Sequence, residues 1–215
     1  MNKYWLRSLQ MSLAVVCVFA ISGVSTVTAH QSGDVWTELG EDFTGESSNT
    51  ETGTIVGDTY VLPASGTEVV IAEGVTADDP AESDFEDQVI VSIPQGIGAI
   101  AVIPGLGSPQ TVMETYADAF SETLDGAEVI DIQSDRQQAS GIYLVDLLGI
   151  SVIMYITVDT SAMPGYLTIQ VAVAEANIAE AITLLRENVT VDGVPMFAGV
   201  DEQSVQDLAD DYTGQ

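Results

Sequence analysis

The most informative feature of this 215-residue chain is how few cysteine, histidine and basic side chains it contains. It has one cysteine, Cys17, one histidine, His30, and four basic residues against 33 acidic ones. A single cysteine excludes an intramolecular disulfide and a multi-thiolate zinc site. Ser-His-Asp hydrolysis, Schiff-base chemistry and phosphate loops need a histidine or a lysine within the folded domain. The composition therefore favours binding or structural functions over most catalytic ones.

The N-terminal residues 1–29 have the pattern of a secretory signal peptide. Lys3 and Arg7 precede an uncharged run of apolar and small residues, and Val27 and Ala29 occupy the small-residue positions that signal peptidase recognises. The sequence predicts cleavage near Ala29 and export to the extracellular space or the cell envelope. The alternative is an uncleaved membrane anchor, for which the uncharged run is short.

Cleavage would remove Lys3, Arg7 and Cys17 and leave 186 residues in which Arg136 and Arg186 are the only basic residues. Two arginines against 33 acids give a formal charge of −31. Such a surface repels nucleic acid and anionic membranes, so neither is expected as a partner. Because like charges destabilise the compact state, the melting temperature is expected to rise with added salt or calcium. An unchanged melting temperature in both titrations would contradict this expectation.

His30 would begin the mature chain and offer an amine and an imidazole to one copper ion. Copper sites of that kind need a second imidazole, and the chain has no other histidine. The sequence therefore predicts an exposed tail histidine with no ligand role.

Residues 30–53 are rich in Ser, Thr, Gly and acids and predict a flexible linker. Within them Trp36, Leu39 and Phe43 recur at spacings of three and four, as on one face of a short helix. That face either docks on a protein partner or packs on its own domain, and Gly40, which weakens a helix, favours the second interpretation.

Residues 54–215 predict a single α+β domain. Eight strand patterns, among them Gln88-Val-Ile-Val-Ser-Ile and the hairpin partner that follows Gly96, are interrupted by two helical patterns over residues 108–124 and 177–188. A shorter helix is predicted over residues 201–212. This order is not the regular alternation of a parallel fold, so we expect a mostly antiparallel sheet of six or more strands, covered by two main helices plus the short C-terminal helix.

This order over residues 85–199 resembles exported domains of the PsbP and DcrB type. The resemblance rests on "VIVSIP" and "IAVIP", on the helix over residues 108–124, and on the unit "YLTIQVAVAEANIAEAITLLREN". It implies an α+β fold and an accessory role, because PsbP-like proteins are extrinsic photosystem subunits and DcrB-like proteins belong to the envelope. No functional residue is carried over.

The densest acidic segment is "ADDPAESDFEDQ", a candidate calcium loop. Its carboxylates are Asp78, Asp79, Glu82, Asp84, Glu86 and Asp87. Clustered carboxylate oxygens suit calcium, but the EF-hand pattern is absent, and a solvated loop is the simpler interpretation.

Three functions remain open from the sequence. The leading one is an exported, non-catalytic binding or accessory domain. The second is a calcium-dependent structural or adhesive module that uses the candidate calcium loop. The third is a hydrolase with a carboxylate dyad, which requires two carboxyl groups facing each other in one pocket.

Overall fold

The computed structural model describes residues 55–78, 87–104, 107–123, 127–147, 150–160, 165–174 and 177–213. The predicted leader, His30 and the stripe of Trp36, Leu39 and Phe43 lie outside these residues. No described helix has both the length and the apolar character that a membrane crossing requires.

Fourteen elements make up the described fold. In chain order they are β1 (Gly57–Val61), β2 (Glu68–Ala72), β3 (Thr76–Ala77), β4 (Gln88–Ile93), β5 (Gly96–Pro104), α1 (Pro109–Thr123), β6 (Glu128–Ser134), β7 (Gln138–Leu147), β8 (Ile150–Asp159), β9 (Gly165–Ala174), α2 (Ile178–Asn188), β10 (Val189–Val191), β11 (Val194–Pro195) and α3 (Glu202–Thr213). The strands form a seven-stranded sheet of order β3-β4-β5-β9-β8-β7-β6 and a four-stranded sheet of order β1-β2-β10-β11.

The α+β class and an antiparallel sheet of six or more strands are confirmed, and a second, four-stranded sheet is present beside the expected one. The second sheet arises because β10 continues directly from α2 and pairs with β2, with Val189 opposite Ile71. Both of these side chains are buried. Asp192 and Gly193, at φ values of 48° and 77°, then turn the chain into β11, as expected for an Asp-Gly hairpin.

One face of the large sheet is covered by α1. The Ser108 hydroxyl accepts a hydrogen bond from the Thr111 amide at 3.2 Å and caps the helix, and Pro109 occupies the first helical position as predicted. The stripe predicted from the sequence faces the sheet: Val112, Met113, Tyr116 and Phe120 are fully buried. The predicted helix end at residues 124–126 lies outside the described chain.

The opposite face is covered by α2, α3 and the small sheet together, so the expected cover of two main helices is only partly observed. Asn177 caps α2 by accepting the Glu180 amide at 3.1 Å. The inward residues of α2 match the prediction: Ile178, Ala181, Ile182 and Leu185 are buried. In α3 the buried positions are Val205 and Ala209, and this helix covers the end of the sheet that β6, β7 and β8 form.

Candidate functional site

A cleft of about 450 Å³ lies between strands β6–β8 and the segment that leads into α3. The sheet forms its floor, and residues 198–201 with the first turns of α3 form its wall. The volume falls within the range of small-ligand sites, about 300–1,000 Å³.

Strand register determines which side chains meet on the floor. Asp131 is paired with Ile142, and Gln133 with Ser140; in the next strand Ser140 is paired with Thr157 and Ile142 with Tyr155. Directly opposed residues of antiparallel strands share one face of a sheet. The six paired residues therefore give the floor one carboxylate, one amide, three hydroxyl groups and a single aliphatic side chain. Gln138, two residues before Ser140 in β7, adds a second amide.

Tyr155 is the most enclosed polar group of the floor. Its ring packs against Phe197 with centroids 5.8 Å apart, and its hydroxyl group bonds with Ser140. Burial raises the pKa of Tyr155 and outweighs the effect of the Ser140 bond. The phenol is therefore neutral at physiological pH, and it contributes a rigid polar group instead of a charge.

Arg186 holds the wall of the cleft in place through two hydrogen bonds. Its Nη1 donates to Glu202 Oε2 at 2.9 Å, and its Nη2 donates to the Val200 carbonyl oxygen at 2.6 Å. Asp201 caps α3, because the Ser204 amide donates to its Oδ1 at 3.3 Å and the Ser204 hydroxyl to its Oδ2 at 2.9 Å. One arginine thus ties the end of α2 to the wall of the cleft.

The cleft is anionic. Asp131, Asp135 and Asp201 line it, and no described lining residue is basic. The Gln137 and Gln138 amides donate to Asp135 Oδ1 at 2.7 and 2.9 Å and hold the pKa of Asp135 below its usual value. The bonds from Ser204 lower the pKa of Asp201 in the same way. Both carboxylates are charged at neutral pH, so the cleft suits polar groups that are neutral or positive.

The carboxylate-dyad hydrolase finds little support in this arrangement. Glycoside hydrolysis needs a carboxyl group whose pKa is raised so that it can donate a proton. The carboxyl groups of Asp135 and Asp201 have lowered pKa values instead. The described lining also contains no histidine or cysteine. The hydrolase remains a prediction of the sequence alone.

Only two of the six carboxylates of the candidate calcium loop are described, Asp78 and Asp87; Asp79, Glu82, Asp84 and Glu86 lie outside the described residues. Asp87 is buried at a φ of 68°, and its Oδ1 accepts the Ala64 and Ser65 amides at 2.7 and 3.0 Å. Burial raises the pKa of Asp78. Within the described ranges no three His, Cys, Asp or Glu side chains are grouped to hold a metal. Calcium binding therefore stays a prediction.

The sequence interpretation did not identify the cleft residues. A signal was present, because Asp131 and Gln133 alternate with Ile132 in β6, and Gln138 and Ser140 do so with Ala139 in β7. Two neighbouring strands with a polar stripe on the same face indicate a floor that is not fully covered. The wall could not be inferred, because α3 begins 55 residues after the end of β7.

No family model and no curated protein sequence matches this chain. Among solved structures it is similar to the Ran-binding protein Mog1p of Saccharomyces cerevisiae, with a TM-score of 0.44 and 9% identity over 72% of this chain and 93% of that one. A mutant of protein Mog1 matches with a TM-score of 0.44 and 8% identity over 72% and 94% of the two chains. Similarity at this level carries no argument about function, and the resemblance to PsbP and DcrB stays a prediction.

Proposed function

We propose that the chain is an exported, non-catalytic binding domain that holds a polar ligand with positive charge in the cleft between β6–β8 and α3. The observation that carries the proposal is the cleft itself, about 450 Å³ in volume, where hydroxyl, amide and carboxylate groups stand beside apolar residues and no described lining residue is basic. Such a site recognises ammonium or guanidinium groups through charge-assisted hydrogen bonds.

Preorganisation supports a binding role. The negative charges of Asp135 and Asp201 are held in place by backbone and hydroxyl donors, and Arg186 fixes the segment next to them. A ligand that enters a site whose groups are already ordered avoids much of the entropic cost of binding. The calcium-dependent role would depend on the candidate calcium loop, Asp78 to Asp87, and the described residues offer nothing that favours it.

The test is a titration of the ¹⁵N-labelled chain, expressed from residue 30, with arginine amide, using acetate at equal ionic strength as the anionic control. We expect arginine amide to shift the amide signals of Gly141, Gly199 and Ser204, and acetate to leave them unchanged. Equal shifts at many acidic surface positions, or none at these three, would contradict the proposal.

A matched pair of substitutions sharpens the titration. Ser140→Trp fills the cleft, whereas Ser121→Trp places the same side chain on the exposed surface of α1. We expect Ser140→Trp to abolish the arginine amide shifts and Ser121→Trp to retain them. Gln133→Ala, which removes a floor amide without adding bulk, should weaken the shifts if Ser140→Trp does not fold.

A further inference from the structure

Strand β6 borders the cleft and is the outermost strand of the seven-stranded sheet, with β7 as its one described neighbour. The Asp135 amide donates to the Gln138 carbonyl oxygen at 2.8 Å and closes the hairpin between the two strands. Hydrogen-bonded and non-bonded pairs alternate along an antiparallel ladder. Gln133 therefore bonds to β7, whereas the backbone N–H and C=O groups of Ile132 and Ser134 point away from it.

These outward groups have no cover within the described chain. No backbone hydrogen bond joins Ile132 or Ser134 to a described residue outside the strand pair. Tyr212 of α3 bonds to Glu128 at the start of β6, and the register shift between Val129 and Asp131 lies at the same end. The regular stretch from Asp131 to Ser134 is left with a free edge beside the cleft.

We propose that the ligand is an extended peptide with Lys or Arg at alternate positions, which adds to β6 as an eighth strand. This inference rests on the proposed function and names its ligand class. Added strands gain affinity from backbone hydrogen bonds and specificity from alternate side chains. The peptide backbone pairs with Ile132 and Ser134, and every second side chain lies on the cleft face beside Asp131, which lines the same cleft as Asp135 and Asp201.

Charge decides between a basic peptide and a second copy of this chain. Pairing β6 with its own copy would bring Asp131 and Asp135 against the same carboxylates, and like charges across a strand pair are destabilising. Acidic residues on an edge strand hinder self-pairing for that reason. A basic segment meets the same groups with favourable charge, and it is attracted by a chain whose formal net charge is −29.

The test uses a capped octapeptide in which Lys and Arg alternate with Val and Thr, and two isomers N-methylated on opposite sets of alternate amides. The isomers have equal charge and composition. In one isomer the methylated amides are those that would donate to β6, and in the other they are those that would point to solvent. In isothermal titration against the chain from residue 30, we expect one isomer to bind at least tenfold more weakly than the parent. The other isomer should stay within about twofold.

Ser134 offers a matched pair on the protein. Ser134→Pro removes an outward N–H group that β7 does not use, and proline is tolerated on edge strands, so the fold should persist. We expect Ser134→Pro to weaken binding of the peptide at least fivefold and Ser134→Ala to leave its affinity unchanged. Asp131→Asn, which removes a charge with little change of shape, should weaken binding of the peptide and make its affinity less dependent on the salt concentration.

The outcomes separate the two proposals. Equal affinities of the two N-methylated isomers, or an unchanged affinity of Ser134→Pro, would overturn strand addition. If arginine amide still shifts Gly141 and Gly199 in that case, the cleft remains the ligand site. If neither the peptide nor arginine amide perturbs the cleft, both proposals are wrong.

Discussion

The two faces of the large sheet differ in how completely they are covered. On one face α1 packs Phe120 against Tyr143 at a centroid distance of 4.9 Å, and the strands beneath it present an almost entirely buried apolar surface. On the other face the small sheet and α2 bury the strands β4, β5 and β9. Over β6–β8, however, only α3 and the segment that leads into it pack on the sheet, and the space that they do not fill is the cleft.

This difference shows what decides whether a residue of the large sheet belongs to the buried core or to the cleft. The elements that pack over the residue matter more than the composition of its strand. The strands β7 and β8 contribute to both faces, and each carries large apolar residues that point in both directions. A well-filled interior leaves no space for a ligand. The polar residues Asp131, Gln133 and Ser140 lie where the cover ends, and there they remain accessible to a ligand.

The largest expected effect comes from truncating matched isoleucines on the two faces. Ile156, on the α1 face, and Ile142, on the cleft floor, are both buried. We expect Ile156→Ala to cost towards the upper end of the ~2–5 kcal/mol range for such truncations, because it leaves a closed cavity. Ile142→Ala should cost towards the lower end, because its cavity opens into the cleft. Chemical denaturation measures both, and equal costs would contradict the comparison.

A smaller loss is expected from Arg186. Arg186→Met leaves the Val200 carbonyl oxygen and the Glu202 carboxylate without their donor. We expect the free energy of unfolding to fall by about 2 kcal/mol, since both groups are only partly exposed and the bonds are charge-assisted. Arg136→Met is the control, because Arg136 is exposed and forms no ion pair with a described residue, and it should change stability by less than about 0.5 kcal/mol. Equal losses in the two variants would refute the role of Arg186.

The next effect concerns pH. Hydrogen bonds lower the pKa of Asp135 below 3.8, so the unfolded chain takes up this proton at a higher pH than the folded chain. The stabilisation is therefore complete above the unfolded value, and it is lost as the pH falls through the folded one. We expect the stability difference between the native chain and Asp135→Asn to shrink below about pH 4. A difference that stays constant from pH 6 to pH 3 would show that the charge of Asp135 contributes nothing.

The smallest effect is expected at the contact between α3 and β6. Tyr212 donates to Glu128, both residues are exposed, and this bond raises the pKa of the phenol. Tyr212→Phe should change stability no more than an ordinary surface substitution does, whereas Glu128→Gln should lower the pKa of Tyr212 in an ultraviolet titration. A pKa unchanged by Glu128→Gln would show that the contact does not persist in solution.

Local patterns predicted much of the fold. Contacts between residues three or four apart determine the cap at Ser108, the stripe of α1 and the inward residues of α2. The spacing of residues in the sequence is enough to predict such contacts. The small sheet was not predicted, because its stability depends on Val189 meeting Ile71, more than a hundred residues earlier. The cleft was missed for the same reason, since its floor and wall come from separate parts of the chain.

Ligand binding in the cleft requires that the sheet is open to solvent on the α3 face and closed on the α1 face. A neutral paramagnetic cosolute, which enhances the relaxation of solvent-accessible protons, measures this directly. We expect strong enhancement for Ser140 and Thr157 on the cleft floor and almost none for Met113 and Tyr116 beneath α1. Equal protection of all four residues would contradict the presence of an open cleft on one face alone.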